Sequence, residues 1–288
     1  MPKWSAWGQP WGTAPLNRFP SPGGSPPERE KGHENYEDTL TDLTQGPLPQ
    51  PISITFSAAA CGAGKTFWAT RFAASRVGLG NFVFALDRID EFAARRQMIL
   101  DAFAEIGRSP CRIEAIHAQN TSGVTQAIRD FPKECREPTI LFITHAGLQL
   151  SDLSAYRDWY LIVDEVPNCW FSDELKTPAT WQWFADTYNL SHVSASWSQV
   201  TPKATAPTVA RIQEDSLGNQ IAVLAGRIRD TRSGVFASVA NWADTAVDGP
   251  RAAGWSWFAV WSPECLRPFK RVWMLGNSIE RSLTFNLW

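Results

Sequence analysis

Residues 52–71 read ISITFSAAACGAGKTFWATR: a short β-branched run, a loop of small residues closing on Gly-Ala-Gly-Lys-Thr, then a helical pattern. No other stretch restricts the possible folds so tightly, because a loop of this form holds phosphate only between a strand and a helix. Gly62 and Gly64 let the backbone approach closely enough for its N–H groups to cradle a triphosphate. Lys65 is placed to reach the β- and γ-phosphates, and Thr66 to offer its hydroxyl to Mg²⁺. The N-terminus of the following helix adds donors and its dipole. Ala59 stands where the commonest form, G-x-x-x-x-G-K-[ST], has its first glycine, and the cradle therefore comprises Ala59, Ala60, Cys61, Gly62, Ala63, Gly64, Lys65 and Thr66.

A phosphate loop needs a carboxylate partner at the end of a buried strand. Tyr160-Leu161-Ile162-Val163 is a continuous apolar run, as expected for a strand covered on both faces, and it ends in Asp164-Glu165-Val166-Pro167. Asp164 is positioned to hold the Mg²⁺ shell, and Glu165 to orient or polarise an attacking water. Lys65 and Glu165 are thus the candidate catalytic residues, and Thr66 and Asp164 the candidate metal ligands.

Composition narrows the alternatives. With 44% hydrophobic and 19% charged residues, the 288-residue chain has ample material for a core. A formal net charge of −2 provides no global attraction to nucleic acid, so polyanion contact requires a local patch. No apolar run is long enough to span a bilayer, and the N-terminus lacks the apolar core of a signal peptide. The five cysteines, Cys61, Cys111, Cys135, Cys169 and Cys265, are scattered without metal-ligand spacing, which disfavours zinc or a disulfide framework and suits a reducing cytoplasm. His145 follows the apolar run Thr139–Thr144, where a structural role at a strand end is expected over a catalytic one.

Residues 1–50 are rich in Pro, Gly, Ser and charge, which predicts a largely disordered tail. Trp4, Trp7 and Trp11 within it fit a docking motif, translated upstream sequence or a tail loosely packed on the domain. From Ile52 to Pro167, strands alternate with helices. Strands are expected at Ile52–Phe56, Asn81–Leu86, Cys111–Ile116, Thr139–Thr144 and Tyr160–Val163. Helices are expected over Lys65–Val77 and over Ile89–Ile106, the latter capped by Asp87, with Phe92, Ile99, Phe103 and Ile106 as its stripe. A short helix on Val124, Ile128 and Phe131 ends at Pro132. This rhythm predicts an α/β fold with a mostly parallel sheet covered by helices on both faces, its ligand beyond the carboxyl ends of the strands. Residues 168–271 read differently, with frequent turn residues and dense tryptophan. They predict a β-rich insertion, with a hairpin of Val209–Ile212 and Ile221–Leu224 around Leu217-Gly218-Asn219. Trp255, Trp257 and Trp261 share one face of a strand, and core packing is the default for them. Stacking of Trp181, Trp183 or Trp255 on unpaired bases is the sharper alternative. Val272–Leu275 reads as the last core strand, and Ile279–Trp288 as the opening of a helix or linker.

On these residues the chain resembles the first, RecA-like motor domain of superfamily two helicases, the DEAD/DEAH-like group. Their phosphate loop has the form A-x-x-G-x-G-K-[ST], which Ala59 to Thr66 matches at every fixed position. Asp164-Glu165-Val166-Pro167 resembles their metal-binding motif, with Pro167 where many members have Asp or His. Asn81–Phe92 and Thr139–Leu148 sit where that family touches nucleic-acid backbone. Met274–Ser282 resembles the Ser-Ala-Thr-type coupling motif in the divergent form of some phage-encoded helicase-like proteins.

The resemblance implies a P-loop NTPase domain over residues 51–288, with 168–271 inserted before the last core strand. It also implies ATP with Mg²⁺ as cofactor, nucleic acid (DNA or RNA) as partner, and hydrolysis coupled to movement. Such enzymes place an arginine finger in a second motor domain, of which this sequence holds no counterpart. The expectations are then a fragment, a second half supplied in trans, or a nucleotide-binding module with little turnover. A DNA-packaging ATPase is the runner-up within the same fold, and a truncated non-catalytic module is the third reading.

Overall fold

A computed structural model describes residues 52–175, 181–193, 196–214, 218–238, 255–277 and 279–288, so the N-terminal tail and its tryptophans lie outside the described residues. The β-branched run before the loop forms β1 (Ile54–Ser57), and the pattern after it forms α1 (Lys65–Arg76). Then come β2 (Phe82–Leu86), α2 (Phe92–Glu105), β3 (Arg112–Ile116), α3 (Val124–Glu134), β4 (Thr139–Thr144), α4 (His145–Leu150) and β5 (Tyr160–Asp164). The next segment contributes β6 (Trp170–Leu175), α5 (Trp181–Thr187), β7 (Tyr188–His192), β8 (Trp197–Pro202), α6 (Val209–Gln213), α7 (Gly218–Arg229), β9 (Ser233–Ser238) and β10 (Trp255–Trp261). β11 (Arg271–Leu275) and α8 (Leu283–Leu287) close the chain.

The strands form two sheets. One is parallel and six-stranded, in the order β1-β11-β5-β2-β4-β3; the other is antiparallel and five-stranded, in the order β6-β10-β9-β8-β7. From β1 the chain moves across the parallel sheet through α1 and α2, then returns through α3 and α4. Right-handed crossovers demand that helices used in opposite directions lie on opposite faces. The core obeys this. Phe82, Phe84, Phe142, Ile162 and Trp273 pack with Ala69, Ala73, Ile99 and Phe103 of α1 and α2. The alternate residues Val83, Ala85, Leu141, Ile143, Val163 and Met274 pack with Ile128 of α3 and Leu148 of α4. The period of two along each strand makes both sets apolar, and β2 is accordingly buried at every position.

Register aligns the carboxyl ends of three neighbouring strands. Ser57 pairs with Leu275, and Leu275 with Asp164, so the loop after β1 and the acidic end of β5 start from the same level, one strand apart. Because β1 exits to one face and β5 to the other, the crevice between them is the switch point at which such sheets take ligands.

Several local expectations need correction. Val209–Ile212 and Ile221–Leu224 are helical, not a hairpin. Ile221, Leu224, Ala225 and Ile228 are buried together at helical spacing against Val235, Ala237 and Trp257 of the antiparallel sheet, and this packing overrides the local β-propensity. Residues 168–271 do hold a five-stranded antiparallel sheet, as a β-rich insertion requires, and add three α-helices among the described residues. Asp87 caps no helix: a 3-10 turn over Ile89–Glu91 precedes α2, and neither start has a side-chain cap. Ile106 leaves the stripe of α2 and is exposed. Trp257 and Trp261 are buried, the first in the core beneath α7 and the second in the main core. Trp183 packs against Phe184 and Tyr188, while the side chains of Trp181 and Trp255 lie outside the described residues.

Pro132 does not end α3 but lies inside it, and the helix runs on to Glu134. A proline there cannot donate to the carbonyl four residues earlier, that of Ile128. The buried Tyr156 hydroxyl donates to that oxygen instead, at 2.7 Å. Burial also pushes the Tyr156 phenol well above its ordinary pKa, so the donor keeps its proton. Tyr156→Phe orphans the carbonyl and is expected to destabilise the fold by about 1–3 kcal/mol in urea melts. Adding Pro132→Ala restores an N–H donor and should recover part of that loss; simple additivity of the two changes would show that the hydroxyl is not the substitute.

Candidate functional site

The loop between β1 and α1 is exposed from Ala60 to Gly64 and turns tightly, with Ala63 N–H donating to the Ala60 carbonyl at 3.1 Å. Gly62 and Gly64 hold φ of +78° and +82°, and a Cβ at either would meet nothing within 4 Å. Glycine is needed here for the left-handed backbone alone, which disfavours other residues by about 1–2 kcal/mol each. Gly64 is also the residue from which α1 starts, and its carbonyl accepts Trp68 N–H at 2.8 Å. The first-turn N–H groups of α1 therefore open towards the loop. Lys65 folds back over it, donating from Nζ to the carbonyls of Ala59 and Ala60, the latter at 2.9 Å. Cys61 is exposed on the loop with a free thiol.

Asp164 is the centre of the arrangement. It ends β5, is nearly buried at 7% exposure, and accepts from Thr66 Oγ1 on both carboxylate oxygens, at 3.1 and 3.0 Å. Arg95 of α2 donates from Nε to Asp164 Oδ2 at 3.2 Å, while its Nη2 donates to Glu91 Oε2 at 3.0 Å. From the other face of the sheet, His145 Nε2 lies 3.1 Å from the Asp164 carbonyl oxygen, to which it donates. Burial pushes the His145 imidazole below its ordinary pKa, against the pull of Asp87, and Nδ1 lies 3.7 Å from the Asp87 carboxylate. With Nε2 on the Asp164 carbonyl, His145 ties the start of α4 to the end of β5.

Glu165, one residue on, is exposed and has φ of +69°, the only non-glycine residue with positive φ among the described residues. Strain of this kind persists where the surroundings impose it, and it falls here on the residue that immediately follows β5.

Of the residues singled out from sequence, Lys65, Thr66 and Asp164 lie together, and Glu165 adjoins them on an exposed turn. Arg95 and Glu91 were not foreseen. Their i,i+4 spacing is a legible helix pair. Nothing in the sequence ties Arg95 to a carboxylate 69 positions away. Among the described residues no group of three or more His, Cys, Asp or Glu side chains forms a metal cluster, and no helix is long and apolar enough to cross a membrane. No protein-family model, curated protein or solved structure matches the chain.

The Glu165 backbone generates a test independent of chemistry. Glu165→Gly should leave the protein about 1 kcal/mol more stable than Glu165→Ala, since only glycine relaxes at positive φ. Equal stabilities, or a more stable alanine variant, would mean that the turn does not adopt this conformation in solution.

Proposed function

We propose that this chain is an ATP-binding, helicase-like motor domain of the P-loop NTPase fold, hydrolysing ATP in a manner dependent on nucleic acid. One observation carries the reading. Thr66, at the start of the helix that follows a small-residue loop, is hydrogen-bonded to Asp164, at the end of a strand two positions across the same parallel sheet. A hydroxyl and a carboxylate at one point, beside a loop of left-handed glycines and a lysine, form a hard-oxygen pair next to a phosphate cradle. This donor set fits Mg²⁺ held by Thr66 and Asp164. Bound there, Mg²⁺ supplies positive charge to the β- and γ-phosphate oxygens.

The chain's own groups then have distinct tasks. The loop N–H groups and the first turn of α1 bind and orient the phosphates. Lys65 exchanges the Ala59 and Ala60 carbonyls for phosphate oxygens, which are stronger acceptors because they are charged. Glu165 takes the proton of the water whose oxygen bonds to the γ-phosphorus. The bond from that phosphorus to the β–γ bridging oxygen breaks, and ADP and phosphate leave. Nucleic acid as partner, ATP over other nucleotides and the RecA-like form of the fold rest on the family resemblance. Accelerated turnover on adding single-stranded DNA or RNA is the direct test of that partner.

Lys65→Ala is expected to lower Mg-ATP affinity at least tenfold by titration calorimetry, because it leaves phosphate charge uncompensated among fixed donors. Glu165→Gln should bind as the parent does while losing turnover, since an amide accepts no proton. Unchanged affinity in the first variant, or unchanged hydrolysis in the second, would remove the corresponding assignment.

A further inference from the structure

We propose that Arg95 is the residue of this site that reads the terminal phosphate, distinguishing a nucleoside triphosphate from a diphosphate. The inference rests on the nucleotide-binding reading above. Its observations come from α2, an element outside both nucleotide motifs.

Arg95 lies in the first turn of α2, four residues after Glu91, and reaches the carboxylate that Thr66 of α1 also reaches. The two anions around it use different parts of its fork: Nε donates to Asp164 Oδ2 at 3.2 Å and Nη2 to Glu91 Oε2 at 3.0 Å. The remaining nitrogen, Nη1, has the Met98 sulfur at 3.9 Å as its hydrogen-bond partner among the described residues, a long contact with a weak acceptor. One arm of a rigid five-donor fork is therefore not engaged by oxygen. The guanidinium also shares its acceptor with the phosphate-loop helix, because Oδ2 is the same oxygen that Thr66 Oγ1 approaches at 3.0 Å. Among the described residues, Arg95 is the one side-chain cation bonded to the Asp164 carboxylate. The side chain is mostly covered, at 23% exposure, so its charge acts in a medium that screens poorly.

Consider what nucleotide loading does to this arm. A Mg²⁺ held by Thr66 and Asp164 would set a second cation beside this carboxylate and would weaken its hold on the guanidinium through like-charge repulsion. Glu91 still anchors Nη2, so the fork stays beside the carboxylate that Thr66 reaches from the loop helix. Phosphate oxygens seated in the loop are then the new charged acceptors offered to Nη1. A diphosphate ends short of that position. Arg95 then adds affinity for the triphosphate and almost none for the diphosphate.

The test compares the full chain with Arg95→Ala, Arg95→Gln and Arg95→Lys by titration calorimetry, using Mg-ADP and Mg²⁺ with a β,γ-imido ATP analogue. The expected result is a loss of at least tenfold in analogue affinity for the alanine and glutamine variants, with ADP affinity held within threefold and a partial loss for lysine. Arg95→Gln retains a donor for Asp164, so it separates phosphate contact from simple support of the carboxylate if the alanine variant folds poorly. Equal losses for both nucleotides in Arg95→Gln, or an unchanged affinity for the analogue, would overturn the proposal while leaving the site itself in place. A parent protein that binds neither nucleotide would overturn the underlying reading and this inference together.

Discussion

A carboxylate withdrawn from water at the end of a central strand is the constraint around which the molecule is arranged. Asp164 is nearly buried, and an unpaired buried charge destabilises a fold by about 3–5 kcal/mol when its partner is removed. Three elements meet at this residue: Thr66 brings the first turn of α1, Arg95 brings α2, and His145 brings α4 from the opposite face through the backbone carbonyl. An apolar residue here would pack with less demand on its surroundings. The chain instead pairs the carboxylate with a hydroxyl and a guanidinium, and holds the same residue's backbone carbonyl with an imidazole.

The sheet supplies the platform. Six parallel strands covered on both faces are rigid, and their register sets Ser57, Leu275 and Asp164 side by side. β11 is the strand between the two motifs, yet it arrives only after the antiparallel sheet and its helices have formed a second core. The link between the cores is β10. Its buried Trp257 lies under α7, while Trp261 packs in the main core and its carbonyl accepts the Trp288 indole N–H at 2.9 Å. The tryptophan density that stood out in the sequence is, at these two positions, core packing, one residue in each core.

What the sequence made legible was local. β1, the loop and α1 are contiguous, and their pattern needs no long-range partner. The apolar run of β5 with its acidic end is equally self-contained. Misreadings arose where distant groups decide. Val209–Ile212 and Ile221–Leu224 look like strands in short windows, but a sheet waiting opposite rewards the helical face. Pro132 reads as a stop because its missing N–H normally ends a helix, and only Tyr156 from another loop makes the carbonyl of Ile128 tolerable. Arg95 was not singled out at all, because its partner Asp164 lies 69 positions away on a strand. The strained backbone of Glu165 has no sequence signature, since glutamate rarely adopts positive φ.

The central claim is that the loop from Ala59 to Thr66 holds phosphate, and Cys61, exposed within it, reports on this directly. A nucleotide seated in the loop buries the thiol, whereas an adduct on the thiol blocks the path of the phosphates. The decisive measurement is the rate of Cys61 alkylation, followed by peptide mass mapping, with and without Mg-ATP. Mg-ATP is expected to slow labelling of Cys61 while leaving Cys111, Cys135, Cys169 and Cys265 unaffected, and labelled protein is expected to bind nucleotide no longer. Labelling of Cys61 at the same rate with Mg-ATP present, with nucleotide binding retained in the labelled protein, would contradict it.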